Sequence, residues 1–143
     1  REMAGLRTPI VVTVTGEGGS GGALAVAIGD RVNMLEHSIY SVISPEGCAS
    51  ILFRDASRAE EAAVAMKITA PDLQGRELVD EVISEPAGGA HVNHEELFQT
   101  VDEVFSRQLG ELSALSTDEL LEQRYQKFRH MGRLGHEFEE VAP

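Results

Sequence analysis

The chain has 143 residues, of which 42% are apolar and 25% are charged, and its formal net charge at pH 7 is -12. This length fits one domain, and this apolar fraction is enough for an ordinary hydrophobic core, which excludes a disordered chain. The negative charge argues against nucleic acid as a partner, because Lys and Arg supply most of the affinity for a phosphate backbone.

The first third of the chain has the pattern of short strands around one helix of small residues. The β-branched run at 10–14, which ends before Gly16, predicts a strand buried on both faces. The segment 20–28, SGGALAVAI, predicts a short buried helix. Two more strands are predicted at 32–35 and 39–43.

A helix start follows at Ser44, whose side chain can cap the helix while Pro45 fits its first turn. In this helix we expect Cys48, Ile51 and Leu52 to face inward. The pattern therefore predicts a helix with one inward face.

The middle of the chain contains a second helix signal. Ser57 and Glu60 have the spacing of a capping box, which predicts a helix at 57–67. A strand is predicted at 78–83. The segment 85–91, EPAGGAH, has the Pro and Gly content of a loop.

The last part of the chain predicts two amphipathic helices. Apolar residues at 95–112 follow the 3.6-residue period of a helix. Ser116 and Glu119 then have the spacing of a capping box for the second helix. The residues at 133–143 predict a flexible acidic tail.

Cellular context is indicated by what the sequence lacks. No run reaches the roughly 18 apolar residues of a membrane span, and the first residues lack the apolar core of a signal peptide. The single cysteine, Cys48, excludes an internal disulfide, which favours a reducing compartment such as the cytoplasm. The chain has no initiator Met, and we expect it to begin inside a larger protein.

The segment with the clearest chemical meaning is Gly16–Gly22, GEGGSGG, between a predicted strand and a predicted helix. Glycine lets a backbone approach a ligand closely, and the first N–H groups of a helix lack internal partners and carry the positive end of its dipole. Such a segment suits an anion or a developing oxyanion.

Three alternative roles for this segment stay open. Gly16, Gly18 and Gly21 spell GxGxxG, and Glu36 follows at about the sequence distance of the acidic residue in a dinucleotide-binding site. Against this, the predicted helix is short for the crossover of such a site, and the next two strands follow each other without a helix between them. A phosphate loop is disfavoured, because Gly22 and the next residue replace its lysine and hydroxyl. Finally, the glycines could simply let a helix pack closely on a sheet.

For the remaining polar residues we favour an ordinary structural role over a functional one. His91 and His94 have an HxxH spacing without a third metal ligand, so a surface pair is expected. Cys48 has no visible activating neighbour and is expected to be a core residue, and Glu17 is expected to orient the loop or be solvated.

After the short helix, we expect hydrogen bonds to the turn from Asp30, Arg31 and Asn33. A solvated basic helix face is expected for Arg124, Lys127, Arg129 and Arg133, and a packed stripe for Tyr125 and Phe128.

A family resemblance is carried by long motifs in one order between Thr8 and Gly132. They are GEGGSGGALA, GDRVNMLEHSIYSVISPEGCASILF, EAAVAMKITAPDL, EPAGGAH and RYQKFRHMG. In these motifs the chain resembles the C-terminal portion of the carboxyltransferase alpha subunits of bacterial and plastid acetyl-CoA carboxylases. Two departures are Phe53, where a larger aromatic residue is typical, and Val92, where a basic residue is expected.

The resemblance implies a crotonase-like α/β fold, a spiral of strand-strand-helix units that is partial here and is followed by C-terminal amphipathic helices. It implies the C-terminal half of a carboxyltransferase domain at 1–92 and a helical extension at 93–132. The backbone amides of Gly21 and Gly22 would form an oxyanion hole for the ureido oxygen of biotin. Gly18, Gly19 and Ser20 would line the substrate-binding loop, without a metal on this chain.

The function implied is transfer of a carboxyl group from carboxybiotin to acetyl-CoA to give malonyl-CoA, the first committed step of fatty acid biosynthesis. The implied partners are a zinc-binding beta subunit in an alpha2beta2 assembly, the biotin carboxyl carrier protein and biotin carboxylase, in the cytoplasm or the plastid stroma. Two alternatives are a subunit of a related biotin-dependent acyl-CoA carboxylase or decarboxylase, and a non-catalytic assembly module.

Overall fold

A computed structural model describes residues 2–132, and the predicted tail at 133–143 lies outside this range. The strands are Val11–Val14 (β1), Glu17–Gly19 (β2), Arg31–Leu35 (β3), Ile39–Ser41 (β4) and Glu81–Ile83 (β5). The helices are Ser20–Val26 (α1), Pro45–Phe53 (α2), Ala59–Met66 (α3), Ala70–Gln74 (α4), His94–Ser113 (α5) and Thr117–His130 (α6), with 3-10 turns at Glu2–Gly5 and Ala56–Arg58. The protein is therefore a mixed α/β chain.

The strands form two parallel sheets. The larger sheet has the order β1-β3-β5, and the smaller one pairs β2 with β4, where Gly18 lies opposite Tyr40. The order strand-strand-helix occurs twice along the chain, as β1-β2-α1 and β3-β4-α2. Strand β2 comes directly after β1, and β4 comes directly after β3. Because parallel strands share one direction, the smaller sheet lies beyond the carboxyl ends of β1 and β3.

The core lies on both faces of the central strand β3. Met34 packs on one face with a cluster that includes Val14 and Leu73, and Leu35 packs on the other face with Ile83 and residues of α5. Successive residues of a strand point to opposite faces, so β3 is buried on both sides. The edge strand β1 is different: Val14 is buried, but the other residues of β1 are half-buried, so the prediction of burial on both faces was wrong there.

Helix α1, which was expected to be buried, is largely exposed, and so are two residues of α2 that were expected to face inward. In α1, Ala23 is buried but Leu24 is 66% exposed, and in α2 Ile51 and Leu52 are 71% and 65% exposed. Ala49 is the buried residue of α2, whose main contacts are with the following turn and α3, so the opposite face of α2 has no cover from the described residues. The expected inward orientation of Ile51 and Leu52 is therefore wrong.

The predicted helix starts are partly confirmed. The Ser44 hydroxyl accepts from the Gly47 amide at 3.1 Å, and the capping box of Ser116 and Glu119 is present. Ser57 does not cap the next helix. Instead, the Asp55 carboxylate accepts from the Ser57 hydroxyl and amide at 2.7 and 2.9 Å, and these bonds lower the pKa of Asp55.

Short elements differ most from the predictions. Helix α4 was not predicted, because five residues give no readable helical period. The strand predicted at 78–83 is shortened to Glu81–Ile83, and Asp80 instead accepts from the Val32 amide at 2.6 Å. The glycine segment is not all loop, since Glu17–Gly19 forms β2.

Helix α6 is held by buried polar contacts. The Arg124 side chain is 2% exposed and donates to the Asp30 carboxylate through Nε and Nη2, each at 2.8 Å. Asp30 also accepts from the Ile10 amide at 2.7 Å, and the Lys127 ammonium pairs with Asp80. The expected solvated basic face is therefore wrong at Arg124 and Lys127, while Arg129 is exposed and Arg133 lies outside the described residues.

Helix α5 is fixed to the sheet by a buried pair of amides. Asn33 Nδ2 donates to Gln108 Oε1 at 2.9 Å, and Gln108 Nε2 donates back to Asn33 Oδ1 at 3.0 Å. Asn33 thus bonds to α5, and Asp30 bonds to α6 and to Ile10 just before β1, rather than to the turn after α1. Within the described residues, no helix is both long and apolar enough to cross a membrane.

Candidate functional site

The glycine segment joins the larger sheet to α1 through β2. Gly19 precedes α1 in an extended conformation, with φ -127° and ψ 155°, and no side chain caps this helix end. Ser20 has φ 54°, a left-handed conformation that is uncommon for a residue other than glycine. The first N–H groups of α1 have no partners inside the helix, as in any helix start.

The glycines of this segment fall into two kinds. A Cβ at Gly18 would lie 2.9 Å from Tyr40 Cδ2 and 3.0 Å from Val14 Cγ1, so close packing requires glycine there. A Cβ at Gly21 or Gly22 would meet no atom within 4 Å beyond the adjoining residues and the backbone of α1 itself, and both residues are exposed. Packing therefore explains Gly18 but does not explain Gly21 and Gly22.

Three residues that the sequence analysis did not select hold the segment in place. The Ser38 hydroxyl donates to the Val14 carbonyl at 3.0 Å, and the Ile39 amide donates to the Gly16 carbonyl at 3.0 Å. The Tyr40 hydroxyl donates to the Ala23 carbonyl in α1 at 2.9 Å, and burial raises the pKa of this phenol. The available signal was a polar residue before β4, Ser38, and one within it, Tyr40.

A second polar group lies where β3 and β5 end. The Glu85 side chain is 7% exposed and accepts from the amides of His37 and Ala90 at 3.1 and 2.8 Å, and its carboxylate lies 3.3 Å from His37 Nδ1. Burial raises the pKa of Glu85, but the hydrogen bonds from His37 and Ala90 outweigh it, so this pKa lies below its usual value. Gly88 and Gly89, with φ of 92° and 101°, form the turn of this loop as predicted.

A dinucleotide site is not supported. Strand β2 separates Gly16 from α1, whereas a dinucleotide fingerprint needs the glycine turn to open directly into the helix. Glu36 accepts from the Glu85 amide at 3.2 Å, so this carboxylate takes part in the loop at the end of β5.

The remaining candidates lie outside the glycine segment, except Glu17, which belongs to it. His91 is exposed, and His94 begins α5 and stacks on Phe98 with ring centroids 6.3 Å apart. Among residues 2–132, no group of three His, Cys, Asp or Glu side chains could hold a metal ion. Glu17 and Val92 are exposed, and Cys48 is half-buried. Phe53 lies under Arg58, Tyr125 is exposed and Phe128 is half-buried.

Fold and site together define an α/β protein in which a parallel strand pair presents exposed glycine amides at a helix start. The family described as "Acetyl co-enzyme A carboxylase carboxyltransferase-like" matches residues 1–132. The chain therefore belongs to this family, and the resemblance inferred from its motifs is confirmed.

Several bacterial relatives carry one name, acetyl-coenzyme A carboxylase carboxyl transferase subunit alpha. The chain is 59% identical to the relative from Geobacter metallireducens over 133 residues, 93% of this chain and 42% of the relative. It is 55% identical to the relative from Halalkalibacterium halodurans over 94% of this chain and 42% of the relative. The chain thus spans less than half the length of these relatives.

Among solved structures, the transcarboxylase 12S hexamer matches 70% of this chain and 20% of its own chain. The match has a TM-score of 0.48 and 24% sequence identity, which is too low to support a conclusion about function.

Proposed function

We propose that this chain is the C-terminal portion of an acetyl-CoA carboxylase carboxyltransferase alpha subunit. In this proposal the assembled enzyme transfers a carboxyl group from carboxybiotin, tethered to a carrier protein, to acetyl-CoA and forms malonyl-CoA, the first committed step of fatty acid biosynthesis. The observation that carries the proposal is the 59% identity over 133 residues with a chain of that name.

The fold belongs to the same proposal. We infer a partial crotonase-like spiral, and the support is the repeated order strand-strand-helix, in which β1 pairs with β3 and β2 pairs with β4. The two copies of the unit lie side by side, as successive turns of a spiral would. Helices α5 and α6 follow the spiral as an extension.

The glycine segment would stabilise charge during transfer. When the carboxyl group leaves, the ureido oxygen of biotin becomes more anionic, and backbone amides fixed near it favour that step. Gly21 and Gly22 fit this role, because open space surrounds the positions where their side chains would be, so a ring can approach the backbone. Loss of one such donor typically costs about 3 kcal/mol of transition-state stabilisation.

The other members of the segment would set its shape. Gly18 lets β2 lie against the Tyr40 ring. Gly19 leads to α1 in an extended conformation, and Ser20 makes the turn into the helix. No side-chain base is assigned to these residues. The chain would therefore contribute backbone donors and orientation, rather than a proton acceptor.

The proposed partners are a beta subunit that carries zinc, the biotin carboxyl carrier protein and biotin carboxylase, with alpha and beta chains in an alpha2beta2 assembly in the cytoplasm. Exposed apolar side chains support the need for a partner, because an isolated soluble protein rarely leaves large apolar patches in water. Leu24, Ile51 and Leu52 are each at least 65% exposed on the helices that follow β2 and β4.

The test is malonyl-CoA formation from acetyl-CoA and a biocytin-linked carboxyl donor, with and without a beta-type subunit. We expect no turnover by the chain alone and turnover in the complete assembly. Robust turnover by the isolated chain would contradict the proposal. Propionyl-CoA in a parallel assay distinguishes this enzyme from a carboxylase of a different acyl-CoA.

A further inference from the structure

The Tyr40 side chain lies between the two parts of the glycine segment. Tyr40 is the middle residue of β4 and faces Gly18 of β2 in the parallel register. Its ring is so close that a Cβ at Gly18 would lie 2.9 Å from Cδ2. Its hydroxyl continues to α1, where it donates to the Ala23 carbonyl at 2.9 Å. One side chain therefore contacts both the strand and the helix that flank the turn at Ser20.

Helix α1 itself is short, and most of its described side chains are exposed. The helix has seven residues and no side-chain cap, and a helix this short has almost no stability of its own. Gly21, Gly22 and Leu24 are exposed, whereas Ala23 is 2% exposed. Among the α1 side chains that the structure describes, Ala23 is therefore the buried one, and it directly follows the two glycines.

Tyr40 itself is held by the body of the protein. Its amide donates to the Ile68 carbonyl at 3.0 Å, and its ring packs against the core cluster that includes Val14 and Met34. The neighbouring Ile39 amide holds the Gly16 carbonyl at 3.0 Å. Tyr40 therefore connects a rigid core to a helix that has few contacts.

We propose that Tyr40 is a positioning residue for carboxyl transfer: it fixes the angle at which α1 leaves β2, and with it the direction of the Gly21 and Gly22 amides. The effect on catalysis rests on the proposed function. The effect on α1 does not, because it follows from contacts of this chain alone.

The test replaces only the hydroxyl, with Tyr40→Phe in the complete alpha-beta assembly. We expect kcat to fall by roughly 10-fold or more with KM for acetyl-CoA nearly unchanged, since a misplacement of about 1 Å can cost on the order of 100-fold. The matched control is Tyr125→Phe, the same change at a residue that is 56% exposed on α6. This control should keep kcat unchanged.

Amide hydrogen exchange gives a readout that needs no activity. In Tyr40→Phe, peptides that cover residues 17–27 should exchange faster, while peptides from α5 and α6 stay as in the unchanged protein. Normal kcat or normal exchange at 17–27 would overturn the proposal. So would faster exchange throughout the chain, because that would indicate general destabilisation. If the unchanged assembly forms no malonyl-CoA, the proposed function fails, and exchange at 17–27 still decides whether Tyr40 positions α1.

Discussion

Arg124 and Asp30 form a bidentate ion pair in the interior, although 94 positions separate them in the chain. Both side chains are at most 3% exposed. The remaining donors of Arg124 reach the carbonyls of Leu6 and Thr8, at 2.8 and 2.9 Å. This pair joins α6, the start of β3 and the segment before β1.

Breaking this pair should destabilise the protein strongly. Arg124→Leu leaves the Asp30 carboxylate buried without its partner, which typically costs about 3–5 kcal/mol. Urea unfolding measures the loss. Arg129→Leu, an exposed site on the same helix, is the control and should change the free energy of unfolding by about 0.5 kcal/mol or less. The single variant Asp30→Leu and the double variant with Arg124→Leu complete the comparison. The double variant should lose less free energy of unfolding than the two single variants together, and additive losses would argue against the pairing.

Gly22→Val should lower turnover without unfolding the protein. A Cβ at this position meets open space in this chain, so the thermal midpoint should hardly change. The added side chain would crowd the proposed biotin site and keep the ureido oxygen away from the Gly22 amide, and losing the contact with an oxyanion donor costs on the order of 100-fold in rate. Rate and thermal midpoint are measured on one assembled complex, with Ala63→Val in α3 as the control. Near-normal turnover in a folded complex would show that Gly22 takes no part in carboxyl transfer.

Gly18→Ala should have the opposite signature. Its Cβ would lie 2.9 Å from the Tyr40 ring and 3.0 Å from Val14, and overpacking of this kind costs about 1–3 kcal/mol. We expect a lower thermal midpoint for the isolated chain, measured by calorimetry. Gly19→Ala, where no atom lies within 4 Å of the added carbon, is the matched control. Equal midpoints for the two variants would contradict the packing role of Gly18.

The buried carboxylate of Glu85 should make the protein sensitive to acid. Its pKa in the folded state lies below the usual value of 4.5, so its contribution is present above pH 4.5 and is lost as the pH falls through the folded value. Glu85→Gln should reduce stability at pH 7 and flatten the further loss below pH 4.5. Urea unfolding between neutral and acid pH measures both effects, with the exposed Glu103→Gln as control. If the free energy of unfolding of Glu85→Gln fell as steeply below pH 4.5 as that of the unchanged protein, this contribution would be ruled out.

Local signals in the sequence predicted local structure well. The helical period at 95–112 and the box of Ser116 and Glu119 correspond to α5 and α6, and the β-branched run at 10–14 contains β1. The Asp30–Arg124 contact gave no such signal, because no periodicity relates residues so far apart. Short elements such as α4 were not predicted because they contain too few residues to show a period.

Burial was harder to predict than secondary structure. The apolar composition of α2 shows that Ile51 and Leu52 favour cover, but it does not show whether this chain supplies that cover. The glycine segment was found from its composition. Its division into packed Gly18 and open Gly21 and Gly22 depends on the position of Tyr40, and only the structure shows it.

The reach of Arg124 also sets an order of events during synthesis. Its bonds to the carbonyls of Leu6 and Thr8 span 118 and 116 positions. A growing polypeptide leaves the ribosome from its amino end, so the segment that enters β1 emerges long before the guanidinium that clamps it. Strand β1 can pair with β3 earlier, but its entry stays unclamped until α6 has been made. Closure of this region therefore has to follow the synthesis of α6 and is a late step of folding.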